Sequence, residues 1–119
     1  MPPNIGRFCI FIIMNAEEIR MYALSKNDVT ESFPFGEEIL VFKVNNKMFL
    51  LIALNEVPLS YNVKCDPEKA ITLREDFEEA ILPGFHMNKK HWNTVISEKL
   101  KENLNMKMID DSYNLVKKK

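Results

Sequence analysis

The chain has 119 residues, which is enough for one compact domain with a single apolar core and too few for two. Hydrophobic residues make up 46% of the sequence and charged residues 28%, so the composition excludes a disordered or low-complexity chain. The 16 basic and 17 acidic side chains give a net charge of −1, which excludes the overall basicity typical of many nucleic-acid-binding domains.

Cysteine usage and hydropathy favour a protein of the reducing cytoplasm. Cys9 and Cys65 lie far apart without a C-x-x-C spacing, which predicts neither a disulfide framework nor a zinc knuckle. The apolar run at residues 8–14 is far shorter than the roughly 20 residues that cross a bilayer, so we predict no membrane span. The run imitates a secretory signal only faintly, because charged residues follow it and no small-residue cleavage site is present.

The first predicted element is an amphipathic helix at about residues 16–26. Asn15 and Glu18 have the spacing of a capping box at its start, and Ile19 and Tyr22 lie on its apolar stripe. Met14, directly before this helix, resembles a natural start. We therefore expect an amino-terminal extension of uncertain role at residues 1–13 and a single domain at residues 14–119.

Three strands are predicted next. A turn-rich connector at residues 33–36 leads to β-branched and aromatic segments at residues 39–44 and 47–54, which flank two asparagines. Asparagine tolerates the positive φ of a type I′ turn, so the two segments predict a hairpin. Residues 61–65 alternate apolar and polar side chains, which predicts a third, half-buried strand.

The carboxy-terminal half predicts a helix, a second hairpin, a short helical turn and a last helix. Their ranges are about 66–77, 85–87 paired with 91–96, 97–104, and 107–119. Asp66 and Pro67 supply an N-cap acceptor and a first-turn proline for the first of these helices. Asn88, Lys89 and Lys90 form the turn of the second hairpin.

The predicted order of elements is α, β, β, β, α, β, β, α, without an internal repeat. Strands joined by tight turns must be antiparallel. We therefore predict an α+β fold, in which a meander-like antiparallel sheet of about five strands has its helices packed on one face.

We predict that the protein is not an enzyme and uses no cofactor. Nucleophilic catalysis requires a side chain activated by a positioned base, and the sequence offers Cys65 no fixed histidine partner and no G-x-S-x-G turn. The glycines at positions 6, 36 and 84 are isolated, so no glycine-rich phosphate loop is predicted.

Two histidines raise the question of a metal site. His86 and His91 become cross-strand neighbours if the second hairpin turns at Asn88 and Lys89, and they would then lie close enough to share an ion. A tetrahedral zinc site needs a third or fourth donor, which only Cys65 or a carboxylate brought in by the fold would supply. By this ligand count we expect packing or hydrogen bonding and no bound metal.

Basic side chains are concentrated towards the carboxyl end. Residues 1–82 hold eight basic and thirteen acidic side chains, a balance of −5, and residues 83–119 hold eight basic and four acidic, a balance of +4. The tip of the second predicted hairpin combines cations, amides and an aromatic ring, a mixture that suits phosphates and bases. Lys43 and Lys47 give the first hairpin a similar tip. Ordinary turn chemistry, with Trp92 in the core, is the alternative interpretation.

Six sequence segments resemble one family in order and content. They are FPFG at 33–36, VFKV at 41–44, KMF at 47–49, NVKCDP at 62–67, PGFHMNKKHWNTV at 83–95 and DSYNLV at 111–116. From about residue 14 to residue 119 the chain therefore resembles the MmcQ/YjbR family, and residues 1–13 lie outside the resemblance. The resemblance implies a CyaY-like (frataxin-like) α+β fold and a bacterial, intracellular DNA-binding protein with a double-wing arrangement. Iron chemistry of the frataxin type does not follow, because function resides in sites and not in folds.

The leading hypothesis is a small cytoplasmic DNA-binding protein, with a monomer favoured. It requires residues 83–95 to fold back so that two adjacent lysines project into solvent. The expected phosphate contacts are Lys43, Lys47, Lys64, Lys89 and Lys90, and the residues expected close to sugar or base are Asn88, His91 and Trp92. The alternative is a protein-interaction or small-ligand module in which residues 83–95 line a pocket.

Overall fold

Three helices and six strands make up the part of the chain that this computed structural model describes, residues 14–85 and 87–118. The predicted extension at residues 1–13 lies outside the described residues, as do His86 and Lys119. In chain order the elements are α1 (Ala16–Leu24), β1 (Val29–Ser32), β2 (Ile39–Val44), β3 (Lys47–Ala53), β4 (Ser60–Lys64), α2 (Pro67–Asp76), β5 (Ile81–Pro83), β6 (Trp92–Ile96), a 3-10 turn (Ser97–Lys99) and α3 (Glu102–Lys117).

All six strands form one antiparallel sheet in the order β1-β2-β3-β4-β6-β5, which confirms the predicted α+β class. The prediction of about five strands missed β1. Asp28 has a φ of 61°, and the turn it forms brings Val29 opposite Val44. Because β1 is an edge strand of mostly polar residues, its sequence carries little hydrophobic signal. No helix within residues 14–85 and 87–118 is long and apolar enough to span a membrane.

The first predicted hairpin is confirmed, with β2 and β3 joined at two asparagines. Asn45 and Asn46 have φ angles of 54° and 64°, the left-handed values that a type I′ turn requires. A bulge follows, because Phe42 pairs with Leu50 and the next residue of β2 pairs with Met48. The first helix is also confirmed, and its capping box is present as predicted.

The second predicted hairpin is wrong in its first strand. Phe85 and Met87 belong to no strand, since the strand that pairs with β6 is β5, at Ile81–Pro83. The described residues between β5 and β6, 84–85 and 87–91, are part of a connection that we call the loop at residues 84–91. The Gly84 N–H donates to the Trp92 carbonyl at 2.9 Å. The Met87 N–H then donates to the Gly84 carbonyl at 3.3 Å, a hydrogen bond typical of a turn, so the pairing with β6 does not continue. The helix predicted from about residue 107 begins at Glu102. The predicted short helical turn at residues 97–104 is therefore divided, because Ser97–Lys99 form a 3-10 turn and residues 102–104 belong to α3.

The helices cover one face of the sheet, as predicted. Ile19 of α1 and Ile109 of α3 are fully buried against strand side chains such as Phe42 and Ile52, and Leu73 of α2 packs on the same cluster. The Tyr61 hydroxyl in β4 donates to the Asn105 side chain of α3 at 2.5 Å, which fixes that helix to the sheet. The opposite face has its own apolar cluster, and no residue of that cluster belongs to a helix. We call this second surface the open face.

Candidate functional site

The sequence-predicted site residues gather at one end of the sheet. Lys43 lies opposite Met48 next to the first hairpin turn, and Lys64, the last residue of β4, lies opposite Trp92, the first residue of β6. Neighbouring strands run in opposite directions, so the β2-β3 turn, the end of β4 and the loop at residues 84–91 share this end. We call it the lysine end, and its lysines are Lys43, Lys47, Lys64, Lys89 and Lys90.

These five lysines carry charges that no carboxylate neutralises within the described residues. Lys47, Lys89 and Lys90 are exposed, whereas Lys43 and Lys64 are half-buried. The ammonium group of Lys64 lies 6.0 Å from the centre of the Trp92 ring, a cation–π distance. By contrast, Lys26 pairs with Asp110 at 2.5 Å, and Lys69 pairs with Asp111 at 3.3 Å.

The carboxyl end of α3 adds further cations to the lysine end. The Asn45 side chain donates to the Lys117 carbonyl at 3.1 Å, which places the end of α3 beside the first hairpin turn. Lys117 and Lys118 are exposed there. Asp28 and Asp66 are exposed carboxylates near the same end, so the charge of the region is positive but not uniform.

Arg74 of α2 holds the loop that carries Lys89 and Lys90. Its Nε donates to the Asn93 side-chain oxygen at 2.7 Å, and its Nη2 donates to the Lys89 carbonyl. A guanidinium suits this task because its planar fork reaches a side chain and a main-chain carbonyl together. Sequence reasoning missed Arg74, since its partners lie 15 and 19 residues away along the chain.

The three residues expected close to sugar or base have different environments. Trp92 is only 7% exposed and packs with Val41 and Leu51 on the open face, so its ring is not available for stacking on a base. His91 is half-buried, and its carbonyl accepts the Cys65 N–H at 2.7 Å. Asn88 is exposed and shapes the loop, because its side-chain oxygen accepts the Lys90 N–H at 2.9 Å.

One member of the predicted histidine pair, His86, lies outside the described residues. In the ranges 14–85 and 87–118, no three metal-ligating side chains come close enough to hold an ion. Cys65 is buried, and burial raises the pKa of its thiol above the usual 9.0, with a smaller opposing effect from Lys69. At neutral pH this cysteine is therefore a thiol and a poor nucleophile.

A cleft of about 670 Å³ lies on the open face, and we call it the open-face cleft. Its floor includes Leu51, Ala53, Asn62 and Thr94, side chains that point away from the helices. Pro83, Phe85 and Met87 of segment 83–95 line it, whereas His91 and Trp92 do not. Phe35, Glu38 and Glu56 also line the cleft.

A polar pair lies in the otherwise apolar floor of this cleft. The Thr94 hydroxyl donates to the Asn62 side-chain oxygen at 2.5 Å and accepts the Phe85 N–H at 2.8 Å. Within the described chain the Asn62 side-chain N–H groups have no partner, and Asn62 is half-buried. The cleft therefore offers free hydrogen-bond donors to a bound group.

Comparison with known proteins gives one consistent family. A family model described as YjbR matches residues 24–115. The chain is 42% identical over 102 residues to the uncharacterized protein YbdF of Escherichia coli O157:H7, a match that covers 84% of this chain and 82% of YbdF. It is 27% identical over 101 residues to the uncharacterized protein YjbR of Escherichia coli K12, covering 84% of this chain and 85% of that protein.

Solved structures agree with the fold. The crystal structure of the Deinococcus radiodurans protein DR2400, described as a DUF419 domain, has a TM-score of 0.84 and 35% sequence identity. That match covers 90% of this chain and 81% of DR2400. A crystal structure of a Pseudomonas syringae protein has a TM-score of 0.73 and 28% identity, and the match covers 87% of this chain and 99% of that one.

Proposed function

The chain belongs to the YjbR family, and on that basis we propose that it is a non-enzymatic protein that binds the phosphate backbone of DNA through its lysine end. The resemblance to the MmcQ/YjbR family implies the same class of function, and the double-wing arrangement and CyaY-like fold form part of this proposal. The two wings are the β2-β3 turn and the loop at residues 84–91.

One observation carries the proposal. Five lysines converge on one end of a sheet in a molecule of net charge −1, and none is paired with a carboxylate in the described part of the chain. Unpaired ammonium groups at one end of a sheet attract a polyanion, because each neutralised phosphate releases condensed counterions. Elsewhere on the molecule, lysines such as Lys26 and Lys69 are neutralised by aspartates.

The site residues take distinct roles in this proposal. Lys47, Lys89 and Lys90 contact phosphates directly, because they are exposed at the two tips. The half-buried Lys43 and Lys64 add positive potential from the open face. Asn88 and His91 lie near sugar or base edges, whereas the buried Trp92 supports the base of the loop and touches no nucleotide.

The test is a titration of duplex and single-stranded DNA at two salt concentrations. We expect modest affinity for the wild type that falls steeply with salt, with a slope of about −0.9 in log K against log salt for each phosphate neutralised. The double variant Lys89→Ala/Lys90→Ala should bind more weakly to every sequence and flatten the slope by roughly 2.

A matched control is available at the opposite end of the sheet. Lys99 and Lys101 are exposed where β6 ends and α3 begins, so Lys99→Ala/Lys101→Ala removes the same charge from a surface outside the proposed contact. The control variant should bind DNA with nearly the affinity and salt slope of the wild type. Only the small effect of its more negative net charge should remain. Equal losses in both double variants, or no DNA binding by the wild type at low salt, would exclude the lysine end as a DNA contact.

A further inference from the structure

The open-face cleft is lined by none of the lysines of the proposed DNA contact, and its size is that of a small-molecule site. Ligand sites in proteins usually measure roughly 300 to 1,000 Å³, and this cleft measures about 670 Å³. Phe35 and Phe85 both line it and are 58% and 64% exposed. Large aromatic rings exposed around a concave apolar surface are typical of a binding site.

The charge of the cleft restricts its ligand. Glu38 and Glu56 stand on its rim, and no lysine, arginine or histidine lines it within the described residues. Both glutamates are exposed, and neither forms an ion pair with a described residue. They come from the loops before β2 and after β3, at the end of the sheet opposite the lysine end. The open face is thus cationic at one end and anionic at the other.

The polar floor contributes a second recognition element. Thr94 occupies the side-chain oxygen of Asn62, which leaves the Asn62 N–H groups as donors within an apolar surface. Apolar sites commonly carry a few such polar groups, which fix the orientation of a ligand.

We propose that the open-face cleft binds a small molecule that has a flat apolar body and one cationic group. The apolar body lies on Leu51 and Ala53 in contact with the lining phenylalanine rings, and the cation lies beside Glu38 or Glu56. An acceptor atom on the ligand, where present, takes the hydrogen bonds of Asn62. The negative rim disfavours anions of the same shape by Coulomb repulsion.

Three naphthalene probes of similar shape and different charge test the proposed preference for a cation, with the full chain as the protein. They are 2-naphthylmethylammonium, 2-naphthylmethanol and 2-naphthoate. Binding is followed through amide shifts in nitrogen-15 NMR spectra, with the largest shifts expected at Ala53, Asn62 and Thr94. We expect the ammonium compound to bind about tenfold more tightly than the carboxylate, a difference of about 1.4 kcal/mol, because the two glutamates attract a cation and repel an anion. The alcohol should lie between them.

Charge variants distinguish the effect of the two glutamates that line the cleft from the effect of the protein's net charge. Glu38→Gln/Glu56→Gln should bring the ammonium and carboxylate affinities to within about twofold of each other. The control Glu37→Gln/Glu98→Gln removes the same charge from exposed residues that do not line the cleft, and it should leave the tenfold preference intact.

Occupying the cleft provides a test of its location. Ala53→Trp should fill the floor and abolish binding of the ammonium probe, with folding checked by circular dichroism. If that variant does not fold, Phe85→Ala removes an exposed wall ring and should weaken binding several-fold. Equal affinity for the ammonium and carboxylate probes overturns the proposal. Amide shifts located outside the cleft overturn it as well. A dimer that buries the open face and binds none of the probes would also overturn it. Each of these results leaves DNA binding at the lysine end intact.

Discussion

At the residue scale, Gly84 determines how the chain leaves β5 and enters the loop at residues 84–91. A Cβ atom built on Gly84 would lie 2.8 Å from the Trp92 Cβ and 2.9 Å from the Trp92 carbonyl oxygen. Both neighbours belong to or adjoin the main chain of β6, so they cannot move aside like the tip of a flexible side chain. Gly84 is required because β5 and β6 approach each other closely there.

Gly84→Ala should therefore destabilise the protein by about 1–3 kcal/mol, the usual effect of overpacking a closely packed site. Urea unfolding followed by tryptophan fluorescence measures this directly, because Trp92 is the only tryptophan in the sequence. A urea unfolding midpoint equal to that of the wild type would show that β5 and β6 can move apart without loss of stability.

Element boundaries depend on backbone angles that only a few residues tolerate. Asn45 and Asn46 both adopt positive φ between β2 and β3. Asparagine visits this region more readily than alanine, and glycine visits it most readily. The turn also fixes the end of α3, through the bond from Asn45 to the Lys117 carbonyl.

The turn gives a paired prediction at Asn46. Asn46→Ala should lower the free energy of unfolding by about 1 kcal/mol, because alanine is disfavoured at a φ of 64°. Asn46→Gly should keep or raise it, since glycine has no Cβ penalty there. Chemical denaturation of both variants tests the point, and equal stabilities would contradict the role of the backbone angle.

A second inter-element contact makes stability depend on pH. Arg20 of α1 donates from Nε and Nη2 to the two carboxylate oxygens of Glu31 in β1, each at 2.8 Å. These hydrogen bonds, and the charge of Arg20, hold the pKa of Glu31 below its ordinary 4.5, against a smaller opposing effect of burial. The contact therefore stabilises the fold above pH 4.5 and is lost as the pH falls through the lower pKa of the folded state.

Glu31→Gln should lower Tm at pH 7 by about 1–4 °C, a small effect because the pair is partly solvated. The difference from the wild type should shrink as the pH falls below the ordinary pKa of glutamate. Thermal scans between neutral and acidic pH measure both quantities. The exposed Glu37→Gln serves as the control and should follow the wild type, whereas a difference independent of pH would indicate a packing effect.

At the scale of the whole molecule, charge is sorted by position although its sum is near zero. The lysine end combines side chains from the sheet, the loop at residues 84–91 and the end of α3, which lie far apart in the sequence. If these parts act as one surface, lysines from different elements should contribute alike. Lys47 from the first hairpin and Lys118, which directly follows α3, test this, because both are exposed and unpaired with any described carboxylate.

Lys47→Ala/Lys118→Ala should weaken DNA binding and reduce the salt slope by up to roughly 2, as the loop variant does. Fluorescence anisotropy over a salt series measures the slope, and thermal unfolding confirms that the fold is retained. Wild-type affinity in this variant would confine the contact to the loop at residues 84–91.

The sequence by itself determined the α+β class, the first hairpin and the first helix, because these depend on hydrophobic period, capping and turn residues that interact within a few positions. Only the tertiary structure decided that β5 and not residues 85–87 pairs with β6, that Trp92 is buried, and that Arg74 holds the loop. Those features arise from contacts between residues distant in the chain, where one close approach at Gly84 outweighs local propensity. The same holds for the lysine end and the open-face cleft, since both are assembled from several strands and loops.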